Sequence, residues 1–141
     1  MSVSGGVNDF VVRFANVNGT GSASANTMFA KAIFRMGVPV SAKNIFPCNI
    51  QGLPTWYEVR VNGDGYIGRR EGINLMVSVN PQSIEQDLKN TMSGGYFMYD
   101  STWPLPHDKR REDLNYLEIP LMEMSNKHFS EPRLRQLFKN I

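Results

Sequence analysis

Apolar positions along this chain recur with two periods, and the alternation between them sets out the elements. Residues 10–15, Phe10-Val11-Val12-Arg13-Phe14-Ala15, are apolar on both sides except at Arg13. That is the pattern of a central, buried strand. From Ala25 to Met36 the spacing changes to three and four: Ala25, Met28, Phe29, Ala32, Ile33 and Met36 form one stripe, with Asn26, Lys31 and Arg35 opposite. This predicts an amphipathic helix, ended by Gly37. Residues 38–46 read as a second strand, which makes a helix-linked pair that is normally parallel and right-handed. The stretch from Pro47 to Pro54 is too rich in turn residues for a regular element, yet holds Ile50 and Leu53, so it reads as an ordered, packed loop. Residues 56–61 alternate, with Tyr57, Val59 and Val61 on one face and Trp56, Glu58 and Arg60 on the other. Asn62-Gly63-Asp64-Gly65 predicts a hairpin turn, with residues 66–70 returning antiparallel.

Leu75 to Val79 is a further buried strand. Asn80 can cap the helix that follows, and Pro81 suits its first position. Ile84, Leu88 and Met92 carry its stripe and Gly94-Gly95 is the expected stop. Tyr96 to Tyr99 reads as a strand ending at Asp100, followed by a long loop to Asp113, a last strand from Leu114 to Ile119, and a helix from Leu121 to His128. Residues 133–141 place Leu134, Leu137, Phe138 and Ile141 on one helical face with no cap, as in a piece of a longer polypeptide. The order is an α/β sandwich with a mostly parallel sheet and an antiparallel hairpin excursion, in one domain over residues 1–141.

Composition narrows the function classes. The chain is 41% hydrophobic and 20% charged, ordinary for a globular protein, and its formal charge of +2 is too small for a nucleic-acid footprint. Cys48 is the one cysteine, so the chain alone builds no disulfide, zinc site or four-cysteine iron–sulfur site. It reads as intracellular and cytoplasmic, with any redox centre elsewhere. No apolar run reaches membrane-spanning length.

The strand-to-helix joint at Asn18-Gly19-Thr20-Gly21-Ser22-Ala23-Ser24 is the first candidate site, because such a turn aims backbone N–H groups at a phosphate. A tight turn with no ligand has the same sequence. A nicotinamide dinucleotide site needs an acid near the end of the second strand, and residues 40–44 contain none. Ser41 and Lys43 there suit an additional phosphate, which leaves NADP, coenzyme A or another phosphorylated nucleotide; a solvated lysine at a strand end is the plainer account of Lys43. Asn49 and Gln51, in the proline-bracketed loop, are the second candidates. Cys48 reads as inert, His107 and His128 form no metal pair, Asp100 suits a turn role, and Lys109-Arg110-Arg111 reads as a solvated loop face.

Gly19-Thr20-Gly21-Ser22, the run from Phe46 to Tyr57, Gly68-Arg69-Arg70 and the run from Tyr99 to Pro104 together resemble the gamma domain of 2-oxoacid:ferredoxin oxidoreductases, most closely at the start of the 2-oxoglutarate-type alpha subunit. The resemblance implies a Rossmann-like three-layer sandwich inside an assembly that oxidatively decarboxylates a 2-oxoacid to an acyl-CoA and reduces ferredoxin. It implies thiamine diphosphate, magnesium and an iron–sulfur cluster held outside this chain, on the thiamine-binding domain of the same subunit and on a beta subunit. Under it, Gly19, Thr20, Gly21, Ser22, Lys43, Asn49 and Gln51 contribute to coenzyme A binding. Two other functions fit the residues: a docking scaffold with an empty glycine turn, and an NADP-binding domain.

Overall fold

A computed structural model describes residues 8–16, 22–46 and 54–128. The elements are β1 (Asp9–Asn16), α1 (Ser22–Arg35), β2 (Val40–Ile45), β3 (Thr55–Asn62), β4 (Ile73–Ser78), α2 (Ile84–Asn90), β5 (Thr91–Asp100), β6 (Asn115–Ile119) and α3 (Leu121–His128). A single 3-10 turn, Pro81–Ser83, leads into α2. The six strands form one sheet in the order β2-β3-β1-β4-β5-β6. β1, β4, β5 and β6 are mutually parallel, and β3 runs antiparallel to both β1 and β2. The α/β architecture with a mostly parallel sheet is as the periodicity predicts, and β1 is a central strand.

Side-chain alternation gives the sheet two faces. On one face, Ala30 and Ile33 of α1 pack on Tyr57, Val59, Val61, Phe10 and Phe14. On the other, Leu88 of α2 packs with Val11, Met76, Phe97 and Tyr99. Helices on both faces make the three layers.

Four local expectations are corrected. First, β1 and β2 do run the same way, but β3 lies between them, so the pair is not adjacent. Second, residues 66–70 form no strand. Both edges of β3 are already taken by β1 and β2, which leaves a returning strand nothing to pair with. The Asn62 side chain instead accepts from the backbone N–H groups of Asp64 (3.0 Å) and Tyr66 (2.9 Å). The chain then runs on to Arg70, which pairs with Asp9 at 3.3 Å. Third, the buried side of α1 is Asn26, Ala30 and, in part, Ile33, rotated from the expected stripe; Met28 (67% exposed) and Met36 (78% exposed) face outward. Fourth, Gly94-Gly95 lies inside β5, and Met92 belongs to that strand. α2 ends earlier because Arg111 reaches over and its Nη1 donates to the carbonyls of Leu88 (2.6 Å) and Thr91 (2.9 Å).

The glycines permit an irregularity in β5, where the pairing jumps from Ile73 opposite Thr91 to Leu75 opposite Tyr96. A Cβ on Gly95 would lie 2.8 Å from the Met92 carbonyl oxygen and 3.1 Å from that of Ile73, both backbone atoms. Gly95→Ala therefore costs about 2 kcal/mol in urea unfolding, the usual scale of overpacking. Gly68→Ala, with nothing within 4 Å of the new atom, serves as the near-neutral control. Equal midpoints for the two variants would contradict the assignment.

Candidate functional site

The parallel strands all end on one edge of the sheet. After β1 the chain crosses by α1 on one face toward β2; after β4 it crosses by α2 on the other face toward β5. The direction of winding therefore reverses between β1 and β4, and open α/β sheets bind ligands in the crevice at such a reversal. β1 ends there at Asn16 and α1 starts at Ser22; residues 17–21 join the two. They include Gly19, Thr20 and Gly21, which lie outside the described residues, as do Cys48, Asn49, Gln51 and residues 129–141. Ser22 is the first residue of α1, so the positive end of that helix points to this edge.

Three buried amides knit the crevice. Asn26 donates to the Asn16 side-chain oxygen at 2.8 Å, tying α1 to the last residue of β1. Asn80 donates to the Asn16 main-chain oxygen at 3.2 Å, tying β1 to the chain just after β4. The Asn80 oxygen accepts from the Gln82 N–H at 3.0 Å, the capping role expected of it. Asn16 and Asn26 were not legible as a pair: they lie on a strand and a helix, and only the joint between them makes them neighbours.

Lys43 stands apart from this crevice. It lies within β2, exposed, opposite Glu58 in register. Alternation places it on the face away from α1. The structure therefore does not bring Lys43 together with the start of α1.

On Lys43's face of the sheet lies an open basin of about 610 Å³ whose walls include Arg13, Trp56, Arg69, Arg70 and Lys89. Arg13 pairs with the buried Glu58. Arg69 and Lys89 have no ion-pair partner among the described residues. Ile45 and Trp56, which flank the loop carrying Asn49 and Gln51, form one lip. Sequence reasoning missed this basin because its cations come from β1, from the stretch before β4 and from α2. The signals were Arg13, a charge inside an otherwise apolar strand, and the Arg69-Arg70 pair, which entered the sequence reading only as part of the family resemblance.

Behind the basin, Asp87 is fully buried at the α2–sheet contact. It accepts from Trp56 Nε1 (2.6 Å), Ser78 Oγ (2.6 Å) and Ser83 Oγ (2.8 Å). Burial raises its pKa above the ordinary aspartate value, against the lowering pull of those three donors and of Arg13. The Lys109-Arg110-Arg111 run is engaged rather than freely solvated: Lys109 pairs with Glu85 (2.5 Å), Arg110 with Glu118 (2.7 Å) and Arg111 with Asp113 (2.6 Å). Asp100 accepts from the Thr102 N–H at 3.0 Å, a turn role. Among the described residues no group of three or more His, Cys, Asp or Glu is placed to hold a metal ion. No helix among them is long and apolar enough to cross a membrane.

This fold, with a winding reversal beside a glycine-rich joint, is that of a known family. The family model for pyruvate ferredoxin/flavodoxin oxidoreductase matches residues 11–141, and the chain belongs to that family. Among solved structures it is similar to a 2-oxoglutarate:ferredoxin oxidoreductase from Magnetococcus marinus, determined with 2-oxoglutarate, coenzyme A and succinyl-CoA bound; identity is 24%, TM-score 0.76, over 93% of this chain and 23% of that one. It is similar to the gamma subunit of a keto/oxoacid ferredoxin oxidoreductase from Geobacter sulfurreducens (13% identity, TM-score 0.71, 90% of this chain and 70% of that one). It is also similar to the pyruvate oxidoreductase subunit PORC of Thermotoga maritima (14%, TM-score 0.58, 95% and 93%). At these identities the likeness is one of fold. The chain spans about a quarter of the length of the Magnetococcus protein. Among curated protein sequences none matches.

Proposed function

We propose that this chain is the gamma-domain part of a 2-oxoacid:ferredoxin oxidoreductase of the 2-oxoglutarate type, and that it helps hold coenzyme A at the carboxyl edge of its sheet. The observation that carries the reading is the winding reversal between β1 and β4, with the end of β1 and the positive end of α1 both at it. The Magnetococcus enzyme, whose structure contains coenzyme A and succinyl-CoA, supports the choice of ligand. Backbone N–H groups of Gly19, Thr20, Gly21 and Ser22 receive a phosphate, and Asn49 and Gln51 line the approach. Lys43, on the other face, joins the site only for a ligand long enough to cross the β2 edge.

We assign thiamine diphosphate, magnesium and the iron–sulfur cluster to other parts of the assembly. One cysteine cannot ligate a cluster, and the described residues present no metal donor set. They belong to the thiamine-binding domain and the beta subunit, ferredoxin takes the electrons, and the chain alone turns over no substrate.

In the assembled enzyme, Gly21→Val raises the KM for coenzyme A by about tenfold or more, the loss of one hydrogen bond to a charged group. Decarboxylation measured without coenzyme A is unchanged. An unaltered KM would remove the turn from the site, and Lys43→Ala assayed alongside decides that residue separately.

A second reading, that the domain is a packing module between subunits, is favoured by Phe34 (69% exposed) and Met36, apolar side chains left open at the far end of α1. The two roles use different ends of the helix.

A further inference from the structure

Trp103 stands half in solvent (47% exposed) at the carboxyl edge of the sheet, in the loop that leaves β5. The loop is pinned on both sides of that residue. Before it, the Ser101 N–H donates to the Ile119 carbonyl at 3.0 Å, and Asp100 accepts from the N–H groups of Thr102 and Trp103, each at 3.0 Å. After it, Leu105 is buried in the core on the α2 face, between two prolines that fix the backbone on either side. An indole held this firmly has little freedom left to lose when a flat group packs on it. Among the described residues its Nε1 has no hydrogen-bond partner and its ring no aromatic neighbour.

Trp103 lines a cleft of about 400 Å³ together with Pro104 and Pro106 of its own loop and Pro81, Gln82 and Ile84, which follow β4. Glu85 and Lys109 also line it, and they pair with each other at 2.5 Å. A phosphate or carboxylate therefore finds no free cation in the cleft. What it offers is an aromatic face, proline rings and one neutral amide, Gln82, that can both donate and accept. That set suits an uncharged planar heterocycle, with a π-face for the indole and a polar edge for the amide.

The cleft opens along the same sheet edge as the crevice but is built from other residues. Pro81 directly follows Asn80, whose side chain donates to the main chain of Asn16 at the end of β1. β4 lies between β1 and β5, so the ends of β1 and β5 are two strand spacings, about 10 Å, apart. The ribose of a nucleotide bridges such a gap between diphosphate and base.

We propose that the Trp103 cleft seats the adenine ring of coenzyme A, stacked on the indole with its amino edge toward Gln82. This rests on the reading that coenzyme A lies along the carboxyl edge, and adds that the chain holds the base as well as a phosphate. The run from Tyr99 to Pro104 then has a role of its own: Asp100 sets the turn and Trp103 is the platform.

Competition in the assembled enzyme tests it. Phosphoadenosine diphosphate, the nucleotide half of coenzyme A, and S-methylpantetheine, its thiol half made unreactive, are each titrated as inhibitors against coenzyme A. Trp103→Ala raises the inhibition constant of the nucleotide half by about tenfold, the loss of one base–aromatic stack, and leaves that of the thiol half unchanged. Trp103→Phe, which keeps a π-face, restores most of the loss. An unchanged constant for the nucleotide half would overturn the proposal. So would an equal rise for both halves, which would make Trp103 a support for the loop, or a loss as large with phenylalanine as with alanine. A raised KM for coenzyme A in Gly21→Val beside an indifferent Trp103→Ala would sink the base site alone and leave the proposed function standing. A KM indifferent to both variants would sink the two together.

Discussion

Replacing Asp87 with alanine lowers the stability of the chain by about 3 kcal/mol, among the largest effects of any single substitution here. The carboxylate is the common acceptor for Trp56 of β3, Ser78 of β4 and Ser83 of the 3-10 turn, so its removal strands three buried donors at once. Asp87→Asn keeps an acceptor for the indole and an amide that the serine hydroxyls can accept from, and costs about 1 kcal/mol. The two variants also differ from wild type in pH dependence. The folded chain holds the Asp87 proton more tightly than the unfolded chain, because burial raises the folded pKa. That contribution to stability is complete below the ordinary aspartate value and is lost as pH rises through the raised one. The asparagine variant does not titrate. Its urea-unfolding free energy, subtracted from that of wild type across the acidic range, leaves a curve that declines with rising pH. A flat or rising difference would contradict the assignment.

Glu58→Ala has an effect of the same size for a different reason. Glu58, 2% exposed, is the ion-pair partner of Arg13 and accepts from its Nε at 3.0 Å. Truncating it leaves the Arg13 guanidinium unpaired at the wall of the basin, which Arg69, Arg70, Lys89 and Glu71 also line. Breaking a buried pair in this way costs about 3 kcal/mol. Replacing both partners with methionine removes the charges together, and the double variant stays within about 1 kcal/mol of wild type. Equilibrium urea unfolding decides it: additive losses in the double variant would show that packing, and not the stranded charge, dominates.

The elements were legible wherever periodicity alone defines them. β1 reads as a central strand because both its faces are apolar, and Asn80 reads as a cap because Pro81 follows it. What was not legible depends on neighbours. The alternation of residues 56–61 predicts one wet face, yet all of β3 is buried, because Trp56, Glu58 and Arg60 find Asp87, Arg13 and Asp9 across the fold. The stripe on α1 gave the correct helix and the wrong inward side, since a helix wheel does not say which apolar side chains the sheet will cover. At the candidate site the glycine joint announces itself by composition. The amide cluster of Asn16, Asn26 and Asn80 and the basin cations do not, being ordinary polar residues until the sheet gathers them.

The antiparallel strand β3, second from the sheet edge, also orders events in time. β2 pairs only with β3, and β3 is the chain's later segment. During synthesis, β1, α1 and β2 emerge with no strand pairing among them, and none of the five strand pairings can form until residues 55–62 arrive. β3 then satisfies two strands at once, so nucleation waits on a non-local contact and the first half of the chain stays exposed to misassembly until it forms.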